Sequence, residues 1–201
     1  AGCGSGDGDA DARALAASDN HKDRLKAIEK LRSDKSDEGL KTLRQLATDD
    51  NTAVAIKAMY VVSENPTPTT RQILTEQMKS QHGRIRGTAA YLLGRAEKLN
   101  AQELDQIKKQ LKSDQDPQAR AGAAKGLSNY IKNSSKSEIR SAMPALIKSL
   151  NDKDKTVQIW SLKAIHNSCS TKFEFDFDAT PAEKAKQIKG IQDFMKRAGY
   201  H

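Results

Sequence analysis

The side chains able to do chemistry are few, and their spacing brings none of them into a recognisable reaction centre. His21, His82, His166 and His201 lie far apart, two of them in turns or at the terminus, so no metal-ligating pair is expected. His166 precedes Cys169 by three residues, the spacing of a thiol–base pair. No third group is placed to orient it, and the two read as ordinary helix-end residues. Asp7, Asp9 and Asp11 alternate like the first ligands of a calcium loop. Ala12 and Ser18 stand where such a loop needs Gly and Glu, so the run reads as a solvated tether. Glu174, Asp176 and Asp178 alternate with Phe173, Phe175 and Phe177. That pattern suits an extended segment with its aromatic rings packed on one side and its acids in water. No nucleophile elbow, phosphate loop or dinucleotide fingerprint occurs. No catalytic residue, metal, cofactor or small-molecule substrate is expected, and the chain is not read as an enzyme.

The composition points instead to a surface that binds. Net charge is +8, and the first twenty residues carry four Asp against one Arg, so the remainder is about +11. Such a surplus attracts anionic partners, although a Lys-rich helical protein often carries one without a dedicated ligand. Aromatics make up only 4% of the chain, and Ala, Leu and Ile supply most of the apolar residues. That mix favours short, closely packed helices. No apolar run of eighteen residues occurs.

Five segments repeat: 23–31, 54–62, 85–93, 119–127 and 157–165, starting 31, 31, 34 and 38 residues apart. The fifth position of each is small (Ala27, Ala58, Ala89, Ala123, Ser161), and the ninth is a large aliphatic (Leu31, Val62, Leu93, Leu127, Ile165). Positions one, five and nine share one helix face, so each segment is predicted to bury a stripe whose small centre admits a neighbouring helix. Ahead of the later four lie amphipathic stretches carrying Leu40, Leu43 and Leu46; Ile73, Leu74 and Met78; Leu104, Ile107 and Leu111; and Met143, Leu146, Ile147 and Leu150. Residues 12–17 offer a degenerate first member. Polar turns rich in Asp, Asn and Ser, the usual helix-capping residues, join each pair. Repeated helix–turn–helix units with a stacking stripe make a solenoid.

These residues resemble HEAT repeats. The family pattern has an Asp-bearing turn, then Val-Arg, Ala-Ala and Leu-Gly; Ile85-Arg86, Ala89-Ala90 and Leu93-Gly94 follow it, and Ala119-Arg120, Ala123-Ala124 and Leu127 nearly so. Pro144 is similar to the proline often found in the first HEAT helix, while Asp23 departs from the pattern, as suits a solvated terminal repeat. The resemblance implies an all-α fold, a right-handed α-α superhelix of about five helix pairs over residues 12–168. Residues 169–201 form a C-terminal cap: Thr180, Pro181 and Glu183 open a last helix. In such arrays the second helix of each pair lines a concave groove. Counted along each segment, that groove would present Lys57, Tyr60, Tyr91, Arg95, Lys125, Asn129, Trp160 and Lys163, a basic ladder interleaved with aromatics. The expected function is a non-catalytic scaffold that binds a protein partner. The alternative is a nucleic-acid-interacting protein similar to HEAT-like DNA glycosylases, against which no Asp falls on a groove position.

Residues 1–11 read as a flexible tether. Ala1-Gly2-Cys3 resembles the end of a bacterial lipobox, which implies lipidation at Cys3 and a membrane-anchored place at the bacterial cell envelope; without that anchor the expected place is the cytoplasm.

Overall fold

Short polar turns start the helices, and the buried stripes set how they stack. Asn20, Asn51, Asp116 and Asp154 each accept a backbone N–H from the first turn of the helix that follows, satisfying donors that have no helical partner. Ser135, Asn100, Thr67 and Thr180 open other helices with reciprocal capping boxes. The computed structural model describes residues 6–96 and 98–200, and Cys3 with the lipobox lies outside them.

Among the described residues there are eleven helices: α1 (Gly6–Ala16), α2 (His21–Leu31), α3 (Asp37–Leu46), α4 (Thr52–Ser63), α5 (Pro68–Gln77), α6 (Gly83–Leu93), α7 (Ala101–Ser113), α8 (Pro117–Ile131), α9 (Lys136–Ser149), α10 (Lys155–Ser168) and α11 (Pro181–Arg197). α1 reaches back to Gly6, ahead of the residue 12 at which the sequence set the start of the array. The chain divides into two compact units, Ala1–Leu92 and Leu93–His201. In the first, α1 packs on α2 and α3, α2 on α3 and α4, and α4 on α3 and α5. In the second, α7 packs on α8 and α9, α8 on α10, and α9 on α10 and α11.

The repeated stripe is the core. Ala27, Ala58, Ala89, Ala123 and Ser161 are wholly buried, as are their ninth-position partners Leu31, Val62, Leu93, Leu127 and Ile165. Ser161 is tolerated there because its hydroxyl donates to the Val157 carbonyl at 2.8 Å and meets Ser149 Oγ at 2.7 Å. Gly94 marks a close approach of two backbones in the second unit: a Cβ there would collide with the carbonyl of Gly126 on α8.

Residues 171–180 run without helix, their side chains alternating between half-buried and exposed, as the Phe/acid alternation predicts. Phe173 meets Phe194 of α11 edge-on at 5.1 Å, and Phe175 meets Phe177 at 5.2 Å. Asp178 pairs with Lys155 at the start of α10, while Phe173 stacks on His166 near its end. The segment therefore runs back along α10. α11 buries Ile191 and Met195, and the Tyr200 hydroxyl donates to the Ser168 carbonyl at 3.1 Å.

Candidate binding interface

The second helices carry the residues expected to bind, apart from Arg95, which the structure places in the turn after α6. In the unit Ala1–Leu92, α4 holds Lys57 and Tyr60, and Tyr60 is 39% exposed. Lys57 is paired with Glu29 of α2, which also bonds Arg32, and Arg32 reaches Glu64. The two cations hold the Glu29 carboxyl below its ordinary pKa, Lys57 more than Arg32. This surface is a neutralised ion-pair network with an aromatic ring beside it, rather than the open basic ladder the sequence suggested. Tyr91 on α6 is half-buried.

In the unit Leu93–His201 the arrangement differs. Trp160 of α10 is half-buried, with Lys163 Nζ 4.6 Å and Lys125 Nζ 5.1 Å from its ring centroid. Two ammoniums held on one indole concentrate positive charge over an aromatic platform. Asn129 is half-buried on α8, and Arg95 is exposed just after α6. Next to Asn129, the backbone carbonyl and hydroxyl of Ser128 accept from Asn167 Nδ2 at 2.9 and 3.0 Å, which locks α8 to α10 beneath the platform.

His166 and Cys169 do not meet as a pair. Nε2 of His166 accepts the Phe173 N–H at 2.9 Å, and burial, then the charge of Lys172, hold its pKa below the ordinary value. The Cys169 thiol is directed to the Ile165 and Thr171 carbonyls. Among the described residues, no group of three His, Cys, Asp or Glu is placed to hold a metal ion, and no helix is long and apolar enough to cross a membrane.

The sequence reading did not foresee the arginine clamp. Arg24, Arg86 and Arg120 occupy the second position of their repeated segments, and each donates to two carbonyls of the turn ahead of its own helix: Ser18 and Asp19, Ser80 and Gln81, Asp114 and Gln115. Arg24 also grips Asp49, and Arg120 grips Asp152, each with Nε and Nη2 on the two carboxylate oxygens. A planar fork on a carboxylate fixes both distance and angle, so each such arginine ties its own turn to the turn of the next repeat. Asp152 also accepts the Asp154 N–H at 2.9 Å. Burial opposes ionisation of Asp152 most strongly, but the Arg120 hydrogen bonds, the backbone N–H groups and the Arg120 charge together outweigh it and hold the carboxyl below its usual range. The Arg at position two was visible in the sequence; its carboxylate partner, one repeat further on, carries no local signal.

Comparison with known proteins agrees with this architecture. Residues 11–94 match the family model of HEAT repeats. An engineered protein of known crystal structure aligns over 97% of this chain and 98% of its own, at 16% identity and a TM-score of 0.61. A designed armadillo repeat protein in complex with the peptide (KR)4 aligns over 94% of this chain and 89% of its own, at 13% identity and a TM-score of 0.52. No curated protein matches the sequence. HEAT repeats are recognisable over residues 11–94, and the likeness to these solved structures shows an all-helical repeat fold of the same kind.

Proposed function

We propose that the chain is a non-catalytic scaffold that binds an acidic segment of a protein partner along the second helices of its repeats, with Trp160, Lys125 and Lys163 as the anchor. Repeat scaffolds of this type generally mediate protein binding, which supports the class of function. The observation that carries the choice of partner is the pair of ammoniums over the single indole. Tryptophan is a frequent hot-spot residue, and a half-buried ring loses little conformational freedom on binding. The designed neighbour is captured with a peptide of Lys and Arg; this chain, at +8, has the opposite need. Tyr60, with Lys57 beside it, offers a lesser contact on the other unit. Attachment to a bacterial membrane through Cys3 belongs to the same proposal, since it would hold the repeats near an envelope partner.

Affinity capture from a native extract tests the reading, with the wild-type chain compared with Lys125→Ala/Trp160→Ala/Lys163→Ala. The expected result is a partner with acidic segments, retained by the wild type and reduced at least ~tenfold with the variant, whose circular dichroism stays unchanged. Equal recovery by both would place binding elsewhere. Capture of duplex DNA that weakens steeply with salt would replace the protein reading by a nucleic-acid one.

A further inference from the structure

The unit Leu93–His201 has a second surface, formed by α7 and α9. α7 and α9 pack side by side, in the layer opposite the α8–α10 ridge, and an open cavity of about 570 Å³ lies along them. Its volume falls within the usual range for ligand sites, about 300–1,000 Å³. Leu111, Pro144 and Ala145 supply its apolar lining, and Lys108, Lys109, Lys112 and Lys148 surround them.

The charges here are unbalanced. Lys108 is held by Asp105 at 2.7 Å and by the Ser141 hydroxyl at 3.0 Å. Lys109, Lys112 and Lys148 have no carboxylate partner among the described residues, and all three line the one cavity. The one carboxylate among the described lining residues, Asp152, is already taken by the Arg120 fork. Three uncompensated ammoniums around an apolar floor therefore call for an anion that carries an apolar group.

Shape narrows the choice. Along α9 the lining extends from Ser141 to Ser149, roughly 12 Å at the helical rise. That is the length of about four residues of extended chain. A flat lipid surface would meet the ammoniums and leave the apolar floor unfilled. We propose that this cavity seats an extended acidic peptide segment of a partner protein, one apolar side chain resting on Pro144 and Ala145 above the buried Leu111, and its carboxylates on Lys109, Lys112 and Lys148. The site is independent of the Trp160 ridge, and together the two would let one unit hold two segments, on opposite layers.

The test uses the full chain carrying Lys125→Ala/Trp160→Ala/Lys163→Ala, so that the ridge does not contribute. The probe is a fluorophore-labelled peptide of about eight residues, Asp and Glu around a central Leu, titrated by anisotropy at low salt. One site is expected. Adding Lys109→Ala/Lys112→Ala/Lys148→Ala should weaken it at least ~tenfold, and Ala145→Glu, which keeps every lysine, should do the same. Urea unfolding of each variant establishes that it is folded. Absence of binding to the ridge-deficient chain, or affinity unchanged by either set of substitutions, would overturn the proposal. So would displacement of the probe by phosphatidylserine vesicles or a short DNA duplex more readily than by unlabelled peptide.

Discussion

Arg120 shows how much of this molecule is decided by single side chains. It is largely buried, it satisfies two turn carbonyls, and it forms a two-point contact with Asp152. Removing it strands a partly buried carboxylate and two acceptors at once. Arg120→Ala is expected to lower the stability of the chain by about 2–4 kcal/mol in urea unfolding. Arg120→Lys should recover only part of this, because an ammonium cannot span both carboxylate oxygens and both carbonyls. The pH dependence follows from the direction of the Asp152 shift. Its folded pKa lies below the unfolded value of about 3.9. The carboxylate therefore stabilises the fold fully above that value, and the contribution is lost as pH falls through the folded pKa. Asp152→Asn should be less stable than the wild type at pH 7, and the gap should close progressively below about pH 4. A gap that stays constant across that range would mean that the pair contributes no linked ionisation.

At the scale of the element, the stripes were legible from sequence and the contacts between repeats were not. A helix that must bury one face against its neighbours shows it in its own residues, so Ala27, Ala58, Ala89, Ala123 and Ser161 declared the stacking surface at the fifth position of each segment. The capping residues and the Thr180–Glu183 box are equally local and equally readable. The reach of Arg120 to Asp152 spans 32 residues, about one repeat, yet nothing local to either residue pairs them; the lysine-lined cavity depends on how α7 lies against α9. The expected groove residues occupy their predicted helices except Arg95, which lies in the turn after α6. Their electrostatics, however, depend on partners such as Glu29, which counts as an ordinary solvated acid until α2 and α4 are placed together. Gly94 is a case in which sequence and packing agree. The Leu-Gly of the repeat pattern ends α6, and the missing side chain lets its backbone touch that of Gly126. A methyl group at that point meets backbone, which cannot rotate away. Gly94→Ala is expected to cost about 2–3 kcal/mol in urea unfolding, and a change below ~0.5 kcal/mol would show that α8 can shift to admit it.

For the molecule as a whole, stability and binding draw on different parts of each repeat. Stacked repeats spread their stability over neighbour contacts, with terminal elements covering the ends; here Phe173, backed by Phe194, and Tyr200 cover α10 in the unit Leu93–His201. The apolar stripes and arginine clamps are consumed by that stacking. The proposed binding surfaces are the outward side of the second helices and the α7–α9 cavity, and in the unit Leu93–His201 both carry lysines. Trp160 is the only tryptophan in the chain, so it reports on its own surroundings without labelling. The decisive measurement is the intrinsic fluorescence of the full chain titrated with the captured partner at low and high salt. A saturable change in Trp160 emission is predicted, with an affinity that weakens as salt rises and falls at least ~tenfold in Lys125→Ala/Lys163→Ala. Partner binding that leaves the Trp160 emission unaltered, at an affinity indifferent to those two lysines, would contradict the account.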